Sequence, residues 1–334
     1  MKITNSTHPA CVEAIKDVTP TVREFNLRLP PDAPASALQW QPGAHIQVHL
    51  LVNGRKQTRH YSLLPPVSAG CLRVAVKRVQ PGRGGSRAMW ELQAGQTLIV
   101  SEPLNQFPLN LSAPAYFLIA GGIGITPILG MAQRLSERRA NASMLYCASS
   151  AQEFAFLTDL RTQLGDQLET VTGHLQDLDA RIALLPDQAQ AYVCGPLGLL
   201  HMVQLAWERA GRSPTLLRFE TFGAASSRPE PFQVILPRHK LEIAVDAETS
   251  LLDALELEGI QAMYGCRKGE CGLCVLPVLS LEGQIQHHDI FLSEHEKQSN
   301  QQICVCVSRV KGCITLDTAY RPENNPQKVS TLTA

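Results

Sequence analysis

The sequence predicts a multidomain protein: an antiparallel β-barrel, then an α/β domain with a parallel sheet, then a small C-terminal β-grasp domain. Three observations predict it. The first third reads as about six short runs rich in β-branched residues, separated by Pro, Gly and Asn. The middle third alternates apolar strand-like runs with helical stretches, the order of a parallel sheet. The last third reads as two strands, a short amphipathic helix and a closing strand. They surround YGCRKGECGLC, residues 264–274, which packs three cysteines and three glycines into eleven positions.

Composition sets the outer limits. A chain of 334 residues is long enough for several cores. Lys+Arg and Asp+Glu balance at 30 each, which leaves no electrostatic footprint for nucleic acid or an anionic membrane. MKITNSTHPACVEAIKD lacks the continuous apolar region of a signal peptide, so a cytoplasmic protein with reduced thiols is expected. APAYFLIAGGIGITPILGMA, residues 113–132, is uncharged for about the length of a bilayer span. Its four glycines and Pro127 make strand, turn and helix the better reading.

The barrel, residues 1–110, takes its strands from CVEAIKDV, REFNLRL, HIQVHLLV, TRHYSLL, LRVAVKRV and TLIVSEP. After the fifth, GRGGSRAMWEL puts Gly84, Gly85 and Ser86 at the start of a predicted helix, an anion site suited to a terminal phosphate.

The α/β domain, residues 111–222, carries two turns at its strand ends. In GGIGITP, Gly121, Gly122 and Gly124 let the backbone approach a pyrophosphate, and Thr126 is expected to cap the next helix. The second turn, CGPLGLL, contains Cys194, Gly195 and Pro196. After YCASS, residues 146–150, no Arg or Lys appears until Arg161, which favours NADH over NADPH.

A small-residue linker, 223–230, precedes the last domain, residues 231–334, whose short helix begins near Ser250 as N-cap. Cys266, Cys271 and Cys274 have the Cys-x4-Cys-x2-Cys spacing of a plant-type 2Fe-2S site, given a fourth cysteine downstream. Cys304 and Cys306 both qualify, two apart on one side of a strand. VLSLEGQIQHHD reads as a long loop between Cys274 and these two. Four cysteines satisfy a cluster, so His287, His288 and His295 read as loop surface. Cys11, Cys71, Cys147, Cys194 and Cys313 read as small, singly buried residues. The polar tail after Asp317 reads as disordered.

A cluster accepts one electron and a nicotinamide gives two as hydride. A flavin converts between them, and the barrel is the domain left to bind it.

These segments carry a resemblance. The run Cys306-Val307-Ser308-Arg309 resembles the phthalate dioxygenase reductase family, whose last cluster ligand opens such a run; that implies Cys306. The family's usual loop length counted from Cys274 lands instead on Cys304, but VLSLEGQIQHHD is two residues longer than that loop. GGIGITP and CGP resemble the wider ferredoxin-NADP reductase superfamily, which implies Gly121, Gly122, Gly124, Thr126, Gly195 and Pro196 around the nucleotide and Cys194 near the nicotinamide. Arg59, Tyr61 and Ser62 match an Arg-x-Tyr-Ser signature. The resemblance implies arginine on the flavin phosphate, tyrosine against the isoalloxazine and serine toward N5. Gly-Arg-Gly-Gly-Ser implies FMN rather than FAD, and Phe222 is implied to cover the flavin face. Leu104 departs from an arginine common at its position. The whole then implies a reductase, similar to the vanillate demethylase and carnitine monooxygenase reductases. It would feed electrons from NADH to a Rieske-type terminal oxygenase acting on an aromatic or quaternary amine compound. Two other readings stand beside it: a stand-alone flavin and iron-sulfur oxidoreductase for a small substrate, and a redox-sensing interaction protein.

Overall fold

The computed structural model describes residues 6–66, 68–79, 82, 84–173, 175–222 and 229–318. The expected linker, except Pro229 and Glu230, and the tail from residue 319 lie outside them, as does Arg83. The chain divides into two compact units, Met1–Ser226 and Ser227–Ala334.

The first unit opens with β1 (Thr7–Thr19), β2 (Val22–Arg28), β3 (Ala44–Val52), β4 (Arg55–Leu64), β5 (Cys71–Lys77), a short helix α1 (Gly85–Trp90), β6 (Thr97–Ser101) and β7 (Leu104–Asn105). All six expected strands form, with β7 added. They run in the order β4-β5-β2-β1-β6-β3-β7, and the extra β3–β4 pairing closes the barrel. The β3–β4 hairpin turns on Asn53-Gly54, both at positive φ, the geometry whose twist matches that of the flanking strands. Its core packs Phe25, Leu27, Ile46, Val48, Val74 and Val100.

Next come β8 (Tyr116–Gly121), α2 (Ile125–Glu137), β9 (Ala142–Ala148), α3 (Leu157–Leu164), β10 (Leu168–Thr172), α4 (Leu178–Ala183), β11 (Gln190–Cys194), α5 (Leu197–Arg209) and β12 (Leu217–Glu220). The five strands are parallel in the order β10-β9-β8-β11-β12. The chain leaves β8 in one direction and returns on its other side as β11, so a crevice opens at their C-terminal ends, where such sheets bind ligands. The uncharged stretch 113–132 is β8, buried along its length, followed by α2. Among the described residues no helix is long and apolar enough to cross a membrane. One core joins the two sheets: Val22, Leu64 and Ala75 of the barrel pack with Leu118, Ala120, Ile125 and Ile128.

The second unit contains β13 (Phe232–Leu236), β14 (Leu241–Val245), α6 (Leu251–Leu257), β15 (Val275–Gln286), α7 (Glu294–Ser299), β16 (Gln302–Cys304) and β17 (Arg309–Leu316), in sheet order β14-β13-β17-β15-β16. Ser250 caps α6, accepting the Asp253 N–H at 3.1 Å. The segment read as a long loop is instead mostly β15, a twelve-residue strand paired with β17 and β16. Pro277 fits there because the strand needs its carbonyl, which takes the Asp317 N–H at 3.0 Å.

Candidate functional site

The cysteine loop between α6 and β15 turns its backbone toward sulfur. Cys266 Sγ accepts the N–H groups of Lys268 at 3.3 Å and Glu270 at 3.4 Å, and Cys271 Sγ accepts the Cys266 N–H at 3.4 Å. Such donors stabilise anionic sulfur and fit thiolate ligands. Cys274 and Cys306 sulfurs lie 3.1 Å apart. Hydrogen bonds from Cys304 and then Cys306 hold Cys274 well below the usual thiol value, and its shared charge, with burial, pushes those two up. Cys306 also receives the Gly269 N–H from inside the loop, whereas Cys304 feels the Asp289 carboxylate. Among the described residues no three ligand side chains converge on one ion position. A binuclear centre asks instead for two thiolates per iron, and the contacts Cys266–Cys271 and Cys274–Cys306 supply two pairs.

Other segments brace the loop. Arg267 pairs with Asp253 at 2.6 Å and with Glu256 on α6, and stacks on Tyr264. His287 and His288 are not loop surface. His288 is buried, and His287 Nδ1 lies 3.4 Å from the buried Asp289 carboxylate. Burial pushes Asp289 up, but His287, the Leu292 N–H and the Ser308 hydroxyl outweigh it and hold the carboxyl below its ordinary value. His295 is exposed, as expected. Arg309 is a clamp: its guanidinium donates to the carbonyls of Thr249, Glu230 and Asp246 at 2.7–2.9 Å. None of the ten cysteines forms a disulfide, and Cys11 is exposed rather than buried.

In the barrel, β4 pairs with β3 through Ser62, but its register with β5 is confined to Leu63 and Leu64. The edge from Arg59 to Ser62 therefore lies outside the ladder with β5. Alternation puts Arg59 and Tyr61 on one face and Ser62 on the other. Ser62 is buried and its Oγ has no hydrogen-bond partner among the described residues, which suits a polar ring edge. Burial pushes the Tyr61 hydroxyl up, keeping it a neutral aromatic. A Cβ on Gly85 would strike the Arg59 side chain, so the glycine admits the guanidinium to the first turn of α1. Gly84 stands at the N-cap with φ of 74°, and Ser86 Oγ accepts the Val79 N–H at 3.1 Å. Leu104 lies on β7, paired with His45.

The two glycine turns meet in the crevice between β8 and β11. A Cβ on Gly124 would collide with the Cys194 carbonyl, and one on Gly121 would lie 2.7 Å from Pro196 Cδ. A Cβ on Gly195 in turn would lie 3.1 Å from Gly121 Cα. These glycines serve each other; at Gly122, with φ of 54°, a Cβ would meet the Lys77 ammonium, at 3.9 Å. Thr126 does not cap α2: it lies inside the helix and its hydroxyl donates to Ile123 O at 3.0 Å, while Gly124 is the N-cap. Cys194 is fully buried at the end of β11. Phe222 is 37% exposed beyond β12, so it is not a core aromatic.

Sequence reasoning missed Glu220. This carboxylate is buried and in register with Cys194 across β11–β12. Its signal was a lone acid inside the apolar run LRFETF.

Comparison with known proteins agrees with this layout. Residues 9–108 match the oxidoreductase FAD-binding domain family, and residues 235–311 the 2Fe-2S iron-sulfur cluster binding domain family. The solved structure of phthalate dioxygenase reductase, described as modular for electron transfer from pyridine nucleotides to [2Fe-2S], superposes with a TM-score of 0.78 at 29% identity. It covers 94% of this chain and 98% of that one. A heme-dependent oxidative N-demethylase beta subunit from Ectopseudomonas mendocina is 38% identical, over 90% of this chain and 95% of its own. The carnitine monooxygenase reductase subunit of Escherichia coli is 30% identical, over 90% and 95%. The vanillate O-demethylase oxidoreductase of a Pseudomonas species is 36% identical, over 83% and 90%.

Proposed function

The chain belongs to the phthalate dioxygenase reductase family, and from that premise we propose that it passes electrons from NADH through FMN and a 2Fe-2S cluster to an oxygenase component. The observation that carries the proposal is the cysteine loop with Cys306, in the domain that follows a nucleotide-type sheet in the chain, a one-electron carrier joined to a site for a two-electron donor. Bound flavin supplies the conversion of hydride into single electrons, and the cluster supplies their onward carriage.

The chain's residues take these roles. Cys266 and Cys271 hold one iron, Cys274 and Cys306 the other, and loop N–H groups offset the charge on sulfur. Arg59, with Gly84, Gly85 and Ser86, receives a terminal phosphate, which favours FMN. Tyr61 packs against the ring and Ser62 presents its hydroxyl to the ring edge. Gly122, Gly195 and Pro196 border the nicotinamide nucleotide, with Gly121, Gly124 and Thr126 shaping the turn. Cys194 backs the nicotinamide and Phe222 shields the flavin face until the nucleotide enters. Arg181, the cation near Cys147 at the end of β9, is held in a two-pronged pair by Glu169, which supports NADH as donor. Ten cysteines without a disulfide support a cytoplasmic protein.

For the partner we take a Rieske-type oxygenase acting on a small aromatic or quaternary amine compound. A heme-dependent demethylase is the second reading, favoured by the 38% identical beta subunit. Reconstitution decides: the purified protein with NADH should support turnover by a Rieske-type oxygenase component, and turnover with a heme demethylase alone would select the second reading. If deletion of residues 230–334 left the physiological activity intact, a stand-alone flavin enzyme would replace both.

A further inference from the structure

One face of the β3–β4 ladder carries an unusual polar stripe. The register sets His45 opposite Ser62, Gln47 opposite His60 and His49 opposite Thr58, so all six side chains share a face. His45 and His60 rings stack with centroids 5.0 Å apart and planes 23° from parallel. Thr58 Oγ1 lies 3.2 Å from His49 Nδ1. The stripe is graded. Ser62 and His45 are 4% and 1% exposed, Gln47 and His60 are half-buried, and His49 is exposed. Beside it, Lys56 on β4 adds to the effect of burial in lowering the His49 pKa, and Ser101 of β6 takes the Gln47 N–H at 2.9 Å. Three imidazoles thus lead from a buried serine hydroxyl to solvent.

Proton balance gives the stripe a task, on the reading above that Ser62 meets the flavin ring edge. A hydride is one proton and two electrons. Both electrons leave singly toward the cluster and then the oxygenase, so each NADH consumed leaves one proton that must reach water. We propose that Ser62, His45 and His60 form the exit line for that proton. Ser62 takes the proton from the ring edge and hands its own to His45; His45 passes one to His60, and His60 to water near His49. Cross-strand neighbours on one face have Cβ atoms about 5 Å apart, a gap that a hydroxyl and an imidazole close by rotation about χ1. Two rings stacked this closely resist carrying two charges at once, so occupancy of the outer ring empties the inner one.

The test uses full-length protein with its cluster intact. In apo-flavin protein titrated with FMN, imidazole NMR signals of His45 and His60 should shift on binding. In anaerobic stopped-flow, His60→Gln and His45→Gln should leave hydride transfer from NADH unchanged. They should slow reoxidation of the flavin by the cluster about tenfold, with a larger solvent deuterium isotope effect and partial rescue by added imidazole. Half-buried His60 keeps the test usable if the buried His45 variant fails to fold. Shifted signals with wild-type reoxidation and no isotope effect would overturn the proton line alone. Unshifted signals would remove the flavin from Ser62, and the proposal would fall with that reading.

Discussion

The cysteine loop and the paired turns of the nucleotide crevice are both glycine-rich, yet they work in opposite ways. In the loop, chemistry sits on side chains: three sulfurs, met by that of Cys306 from beyond β16, with backbone N–H groups turned toward Cys266 and Cys271. In the crevice, Gly121, Gly124 and Gly195 let two distant segments press backbone against backbone. The loop's glycines Gly269 and Gly272, at positive φ, turn the chain and pack against the side chains of Val307 and Phe291, whereas the crevice's glycines bring backbone onto backbone.

The largest effect expected from this contrast lies in the loop. Cys306→Ser should abolish the cluster's visible and EPR signals, while Cys304→Ser retains them. The reverse result would make Cys304 the ligand and the Gly269 hydrogen bond incidental. In the crevice, Gly124→Ala forces a methyl onto the Cys194 carbonyl. It should cost about 3 kcal/mol in urea unfolding, against about 1 kcal/mol for Gly122→Ala, whose penalty is conformational alone. Equal losses would mean that Gly124 is not structural.

How far the sequence revealed each region follows from the same difference. The cysteine loop was readable because three cysteines fall within nine residues, Cys266 to Cys274. The crevice glycines suggested a phosphate cradle, because nothing local shows that Gly124 meets Cys194, seventy residues on. Strand β15 was hidden by Pro277 and an irregular pattern in VLPVLSLEGQIQ. The six-residue helices α4 and α7 are too short for a helical period to show. Burial of His287 and His288 depends on Asp289 and Ser308, which a view of HHD as polar surface leaves out.

A middling effect tests the bracing of the loop. Asp289 is depressed in the folded state, so its contribution is full above the ordinary aspartate value of 3.8 and is lost as pH falls through the folded value. Asp289→Asn should cost about 2 kcal/mol at neutral pH and flatten the acid limb of the ferredoxin-like unit's stability curve. An unchanged acid limb would assign that limb to other groups. The smallest effect concerns cofactor choice. Glu169→Gln releases Arg181 and should raise kcat/KM for NADPH several-fold while leaving the NADH value near wild type; no gain would place the 2'-phosphate away from β10.

The most direct measurement of the electron path is an anaerobic titration of the purified protein with NADH. Visible absorbance and EPR would follow it, and the flavin would be released afterwards for identification. Flavin and iron-sulfur bands should bleach together at substoichiometric NADH, an EPR signal of the reduced cluster should appear, and FMN should be released. A flavin that bleaches while the cluster stays oxidised would contradict the account.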